Sequence, residues 1–243
     1  MKIEAVEDYE GLSRNAAALF MTQAKAEPES VCVLPTGRTP EGLFRVLIAA
    51  HRKGDADFSR LRFVVLDEYT GIAPDDRRSL HQWLRRALLD ELGITPSRIA
   101  AFDPSSLDLD AECRRIEAIV AEWGGIDLAI VGLGPNGHVG FNEPGSAPDS
   151  RTRRISLTGE SVISNAGYWG SAADVPLHAL TLGIGTLREA RKIVLMVSGR
   201  AKAGILAKAL KGSVSPDIPA SLFRDHPDFT VIADRAALSA LGG

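Results

Sequence analysis

The chain has 243 residues, of which 45% are hydrophobic, and a formal net charge of −3. This composition suits a large buried core and gives no overall positive charge that would attract nucleic acid. The only cysteines, Cys32 and Cys113, form no Cys-x-x-Cys pair, so neither a disulfide framework nor a zinc site is indicated. No apolar run approaches the roughly 20 residues of a membrane span, and the acidic N-terminus is unlike a secretory signal. We therefore expect one cytoplasmic domain, residues 1–243, without metal, nucleic-acid or membrane partners.

Hydrophobic periodicity and turn residues predict alternating helices and strands. The predicted helices are 9–26, one beginning near Pro40 with Thr39 as N-cap, 79–92, 109–123, one after the turn at 198–200, and 220–226. The predicted strands are 31–34, 62–66, 96–101, one beginning at Ile126, 178–182, 192–197 and 229–233. The polar, weakly periodic segment 158–176 is predicted to be a flap or lid. This alternation predicts an α/β fold with a mostly parallel, Rossmann-like open sheet and helices on both faces.

The segment Ile126–Gly145, IDLAIVGLGPNGHVGFNEPG, has the densest chemistry. An apolar run typical of a buried parallel strand ends in a glycine-rich loop that contains Asn136, His138 and Glu143. Ligands of open α/β sheets bind beyond the carboxyl ends of the strands, where a histidine and a carboxylate can perform acid/base chemistry. The alternative is a structural histidine in an ordinary turn.

Three further segments follow predicted strands. The PTGRTP turn, residues 35–40, precedes a helix, and its free N–H groups favour an anion. Asp67 and Glu68 end another strand and must point in opposite directions, so at most one faces a site. Lys202 lies in the first turn of a later helix, where an anion would offset its repulsion from the helix dipole. For the turn and for the basic run at 151–154, ordinary surface structure is the alternative.

The chain resembles the glucosamine-6-phosphate deaminase family, which is related to the 6-phosphogluconolactonases. The stretches that carry the resemblance are LPTGRTP, LDEYTGI, GLGPNGHVGFNEPG, SRTR, ALTLGIGTL and SGRAKA. The sequence FNEPG after Gly-His is specific to the deaminases. The resemblance implies isomerisation and deamination of a 2-amino-2-deoxyhexose 6-phosphate, glucosamine- or galactosamine-6-phosphate, to ketohexose 6-phosphate and ammonia, without a cofactor. The alternatives are a lactone hydrolase and a non-catalytic sugar-phosphate sensor.

The resemblance also implies the roles of individual residues. Asp67 corresponds to the base that moves a proton between C1 and C2, His138 to the group that opens the sugar ring, and Glu143 to the carboxylate partner of His138. Asn136 stands where family members commonly have Asp, so any charge beside His138 must come from Glu143. The residues that correspond to the phosphate-binding groups are Thr36, Gly37, Arg38, Thr39 and Lys202.

The predicted lid departs from the family pattern. The aligned segment SNAGYWG lacks the family's lid arginine, and we predict that Arg38 partly replaces it, with the run 151–154 as the other candidate. The preferred epimer stays open, because Ile218–Ser221 resembles a stretch of the galactosamine-6-phosphate deaminases. The chain length is that of the short members of the family, which makes regulation by an acetylated sugar phosphate doubtful. We expect a monomer or a small homo-oligomer.

Overall fold

A computed structural model describes residues 1–242 and contains two β-sheets. The strands are β1 (Lys2–Val6), β2 (Val31–Leu34), β3 (Arg62–Val65), β4 (Asp67–Tyr69), β5 (Ile99–Ala100), β6 (Leu128–Gly132), β7 (Arg153–Ser156), β8 (His178–Thr181), β9 (Lys192–Val197) and β10 (Phe229–Asp234). The α-helices are α1 (Tyr9–Ala26), α2 (Glu41–Lys53), α3 (Leu80–Leu84), α4 (Leu109–Glu122), α5 (Gly159–Trp169), α6 (Ile184–Arg188), α7 (Ala203–Lys211) and α8 (Arg235–Leu238).

The larger sheet has seven strands in the order β1-β10-β9-β6-β2-β3-β5, and all its neighbouring strands are parallel. Its two faces pack on separate cores, because alternate residues of a strand point in opposite directions. In β2, Val31 and Val33 belong to the core that contains side chains of α4 and α7. Cys32 and Leu34 belong to the core that contains side chains of α1 and α2. The predicted parallel α/β sheet with helices on both faces is thus confirmed.

The strand order reverses direction between β2 and β6. From β2 the chain proceeds outward to β3 and β5, whereas β6 lies on the other side of β2 and is followed outward by β9 and β10. The loops that leave β2 and β6 therefore diverge, and a crevice opens at their carboxyl ends. Such switch points are the usual ligand sites of open α/β sheets.

The second sheet has three antiparallel strands in the order β4-β8-β7. The chain passes from the large sheet to this one at Leu66, whose carbonyl accepts a hydrogen bond of 2.9 Å from the N–H of Leu182. The prediction of 178–182 as a strand is confirmed, but its place in the parallel sheet is wrong. Asp67 consequently follows the carboxyl end of β3 and begins β4.

Several local predictions need correction. The helix predicted at 79–92 consists of α3 and a π-helix, Arg85–Leu89. The stretch 96–101 is mostly a 3-10 turn, Pro96–Arg98, followed by the two residues of β5. The helix predicted at 220–226 is a 3-10 helix, Pro219–Phe223. Strand β1 was not predicted, and most of the supposed flap at 158–176 is the regular helix α5.

None of the helices within residues 1–242 combines the length and the apolar character that a membrane crossing requires.

Candidate active site

A cavity of about 640 Å³ lies at the switch point of the large sheet. Its walls come from the loop after β2, the junction of β3 and β4, the loop after β6, the turn before α7, and helices α3 and α5. The predicted site residues in these walls are Thr36, Gly37, Arg38, Thr39, Asp67, His138 and Lys202. The other two, Asn136 and Glu143, lie behind His138 and contact it from the protein side.

Asp67 is the buried acid of the cavity wall. It is 5% exposed, and its Oδ1 has no hydrogen-bond partner within residues 1–242. Burial, with a smaller contribution from the negative charge of Glu68, raises its pKa from the usual 3.8 to about 8. A buried polar atom without a partner is costly, and beside an open cavity this one is available to a ligand.

Glu68 faces away from the cavity, into the protein. Its carboxylate accepts hydrogen bonds from the backbone N–H groups of Tyr69 and Leu80, both at 2.9 Å, and from the hydroxyl of Ser79. These bonds place it at the N-terminus of α3. The prediction that at most one of the two adjacent carboxylates faces a site is confirmed, and that one is Asp67.

The ring of His138 is positioned by a glycine. The N–H of Gly134 donates to the carbonyl of His138 at 2.9 Å, which closes the loop. A Cβ atom on Gly134 would lie 2.1 Å from Cδ2 of the histidine ring, so a side chain at this position would displace the ring. On the ring, Nδ1 lies 3.5 Å from Oε2 of Glu143 and 3.2 Å from Oγ of Ser161. Nε2 makes no hydrogen bond within residues 1–242.

Glu143 is held ionised behind the histidine. Burial opposes its charge, but the favourable interactions with His138, Ser161 and Asn136 outweigh burial and lower its pKa to about 2. Nδ2 of Asn136 donates to Oε2 of Glu143 at 2.9 Å. The N–H and hydroxyl of Thr158 also donate to this carboxylate, both at 3.2 Å. Asn136 thus supplies a hydrogen bond to Glu143, and the negative charge beside His138 is that of Glu143.

The loop after β2 is held by a tyrosine from α1. The hydroxyl of Tyr9 lies 3.0 Å from the carbonyl oxygen of Arg38 and 3.2 Å from that of Thr39, and it accepts from the N–H of Gly42 at 2.8 Å. Gly37 has a φ of 90°, which a side chain would disfavour. The exposed guanidinium of Arg38 makes no ion pair within residues 1–242. The predicted N-cap at Thr39 is wrong, because Pro40 occupies that position and no side chain caps α2.

Lys202 reaches the cavity from the turn between β9 and α7. The turn is fixed by Asp234, whose carboxylate accepts from the hydroxyl of Ser198 and from the N–H of Gly199 at 3.0 Å. Lys202 has no acidic partner within residues 1–242, and burial lowers its pKa. A half-buried ammonium without a partner, beside an open cavity, suits an anionic ligand.

The basic run at 151–154 lies outside the cavity wall. Arg151 pairs with Glu117 and Glu189, both at 2.6 Å. Arg153 donates to Oδ1 of Asn142 at 2.9 Å and to Oγ of Ser146 at 2.8 Å. Both guanidinium groups thus have partners within the fold.

Some residues of the site were not predicted from the sequence. Helix α5 lines the cavity, and its contributing residues are Ser164, Asn165, Gly167 and Tyr168. Thr158 caps this helix by accepting a hydrogen bond from the N–H of Ser161. A threonine at the N-cap position followed by the acidic Glu160 in the first turn was an available signal for the helix.

The chain is similar to known proteins over nearly its whole length. Residues 7–232 match the model of the family "Glucosamine-6-phosphate isomerases/6-phosphogluconolactonase". A glucosamine-6-phosphate deaminase from Rhodopirellula baltica is 41% identical over 241 residues, which cover 99% of this chain and 96% of the relative. The solved structure of a monomeric glucosamine-6-phosphate deaminase has a TM-score of 0.96 at 40% identity and covers 99% of this chain and 100% of that one.

A 6-phosphogluconolactonase from Thermotoga maritima has a TM-score of 0.75 at 21% identity, covering 96% of this chain and 99% of that one, and so shares the fold. Within residues 1–242 no group of three or more His, Cys, Asp or Glu side chains is arranged to hold a metal ion. From the family match and the full-length relatives, the chain belongs to the family of glucosamine-6-phosphate isomerases and 6-phosphogluconolactonases.

Proposed function

We propose that this protein is an amino-sugar-6-phosphate deaminase. It converts a 2-amino-2-deoxyhexose 6-phosphate and water to ketohexose 6-phosphate and ammonia. Relatives that are glucosamine-6-phosphate deaminases match nearly the whole chain at 41% and 40% identity. The observation that carries the proposal is that one cavity wall contains a buried carboxyl without a partner, an imidazole and a basic anion loop.

His138 opens the pyranose ring. Its Nε2 accepts the proton of the C1 hydroxyl, the bond between C1 and the ring oxygen breaks, and the proton is delivered to that oxygen. The imidazolium formed in between lies 3.5 Å from the carboxylate of Glu143, whose negative charge stabilises it. Asn136 orients that carboxylate by its hydrogen bond.

Asp67 then isomerises the open chain. Its carboxylate removes the proton from C2 and returns it to C1, while one proton of the ammonium group passes to the aldehyde oxygen. The aldehyde thereby becomes an alcohol, and C2 becomes an iminium carbon. Water adds to C2, and ammonia leaves to give the ketone. The carboxyl must be ionised to begin, and the positively charged amino group of the bound sugar favours this by attraction.

The phosphate binds at the loop Thr36–Thr39 and Lys202. Two residues could supply further positive charge: Arg38 in the loop, and Arg153 in the basic run. Arg38 is the better supported of the two, because it lines the cavity and has no ion-pair partner within residues 1–242, whereas Arg153 donates to Asn142 and Ser146. The helix α5 lines the same cavity as this loop, and we retain the prediction that it acts as the lid.

The deciding experiment is ammonia release by the purified protein from glucosamine-6-phosphate and galactosamine-6-phosphate. Release from either epimer supports the proposal, and the ratio of kcat/KM identifies the preferred one. Hydrolysis of 6-phosphogluconolactone without ammonia release would instead indicate a lactonase. Binding of both sugars without turnover would indicate a sensor. A cytoplasmic location and a monomeric or small homo-oligomeric state stay predictions.

A further inference from the structure

The first turn of α5 is bonded directly to the acid/base pair His138–Glu143. Both the N–H and the hydroxyl of its N-cap, Thr158, donate to the carboxylate of Glu143. One turn further along, Oγ of Ser161 lies 3.2 Å from Nδ1 of His138. The same helix forms part of the cavity wall through residues 164–168. One helix therefore contacts both the substrate space and the back of the catalytic groups.

Ser161 is better placed than Glu143 to bond the histidine ring. Its Oγ is 3.2 Å from Nδ1, whereas the nearest oxygen of Glu143 is 3.5 Å away, beyond the usual range of about 2.7–3.2 Å for an N–H···O hydrogen bond. A hydroxyl can accept one hydrogen bond while donating another. It can therefore accept from Nδ1–H of His138 and still have its own proton to donate.

The surroundings of Ser161 restrict its movement. Its side chain is fully buried. Its N–H donates to Oγ1 of Thr158, and its carbonyl accepts from Nδ2 of Asn165 at 2.8 Å. Asn165 itself lines the cavity. The backbone of Ser161 is thus held by Asn165 from the cavity wall, and its hydroxyl contacts His138.

From this geometry we infer that Ser161 is a positioning residue for ring opening, which bonds Nδ1 of His138 only while α5 is seated on the cavity. This inference rests on the proposed deaminase function. The serine keeps the proton of neutral His138 on Nδ1, which leaves the lone pair of Nε2 facing the cavity. During ring opening Nε2 takes the proton of the C1 hydroxyl and returns it to the ring oxygen, while the proton on Nδ1 stays in place. The movement of α5 that encloses the sugar then also places Ser161 against His138 and orients this base.

The kinetic test compares three substitutions with a control on the same helix. Ser161→Ala removes the hydroxyl. Ser161→Thr and Ser161→Val have the same shape, but only threonine keeps the hydroxyl. Ile163→Ala, at a position that is 72% exposed, controls for a general change in α5. We expect Ala and Val to lower kcat about ten- to a hundredfold with KM changed less than about threefold, and Thr to restore most of the loss. Ile163→Ala should behave as the parent.

A second measurement does not depend on turnover. The chain has five histidines, so His138→Gln identifies the ¹⁵N resonances of His138 in the protein without substrate. We expect the parent to show the Nδ1–H tautomer and Ser161→Ala to show a mixture with the Nε2–H form. An unchanged tautomer in Ser161→Ala, or a kcat within about threefold of the parent, would overturn the inference. If the parent releases no ammonia, the proposed function fails, while the tautomer measurement still decides the role of Ser161.

Discussion

Replacing Asp67 with asparagine should make the protein more stable and nearly inactive. The pKa of Asp67 is 3.8 in the unfolded chain and about 8 in the folded protein. Between these two pH values the folded protein holds a proton on Asp67, whereas the unfolded chain has released it. Holding this proton lowers stability by about 1.4 kcal/mol for each pH unit above 3.8, up to about pH 8. The amide side chain of the variant does not titrate. The advantage of Asp67→Asn in the free energy of unfolding should therefore grow by about 2.8 kcal/mol from about pH 5 to about pH 7.

Denaturant unfolding of both proteins at the two pH values measures this difference. Burial of the amide changes the free energy of unfolding by the same amount at both pH values, so this contribution cancels in the comparison. Ammonia release by Asp67→Asn should fall about a hundred- to ten-thousandfold, the usual contribution of a general base. If the stability difference between the two proteins is the same at both pH values, Asp67 does not have a raised pKa. If the variant keeps activity within about threefold of the parent, Asp67 is not the base.

Three further substitutions test the rest of the site. Lys202→Ala should raise KM about ten- to a hundredfold with little change in kcat, since a charge-assisted hydrogen bond to the phosphate is lost, and an unchanged KM would place the lysine outside the phosphate site. Arg38→Ala should raise KM more than Arg153→Ala, and this increase should shrink at high salt. A larger increase in KM for Arg153→Ala would show that the basic run, not Arg38, supplies the charge of the absent lid arginine. Gly134→Ala should displace the histidine ring and lower kcat at least about tenfold with the fold retained, because its Cβ would lie 2.1 Å from that ring. Gly204→Ala, in open space within α7, is the matched control and should leave activity unchanged; equal losses in both would refute the steric argument.

The position of the site could be predicted because it depends on buried parallel strands. The apolar runs of β2, β3 and β6 identify these strands, and parallel strands direct their following loops to the same edge of the sheet. Asp67 and His138 follow two of these strands, and the loop Thr36–Thr39 follows the third. These residues therefore lie close together because of the parallel sheet, and their proximity could be predicted without knowledge of which strands pair.

The second sheet could not be predicted in the same way. The stretch His178–Leu182 is an apolar run like those of the large sheet, and only its antiparallel pairing with β4 shows where it belongs. At the point where the chain leaves the large sheet for β4, the carbonyl of Leu66 accepts from the N–H of Leu182, more than 100 residues away in the sequence. Such long-range pairing leaves no local signal.

The helix α5 was missed for a different reason. Its residues show weak hydrophobic periodicity because one side lines a cavity rather than a core, so the pattern that reveals most helices is diluted. The N-cap residue Thr158, whose hydroxyl accepts from the N–H of Ser161, was a local signal of its start. The contacts of these two residues with Glu143 and His138 depend on tertiary structure, and no sequence pattern indicates them.

The bonds of Tyr9 to the loop after β2 affect the thermodynamics of binding. Because one phenol bridges the carbonyls of Arg38 and Thr39 and the N–H of Gly42, folding has already ordered much of this loop before a ligand arrives. If this loop binds the phosphate as proposed, binding loses little further conformational entropy there. Removing the phenol hydroxyl, as in Tyr9→Phe, transfers that ordering to the binding step, so affinity falls through a less favourable entropy while every side chain that touches the ligand is unchanged.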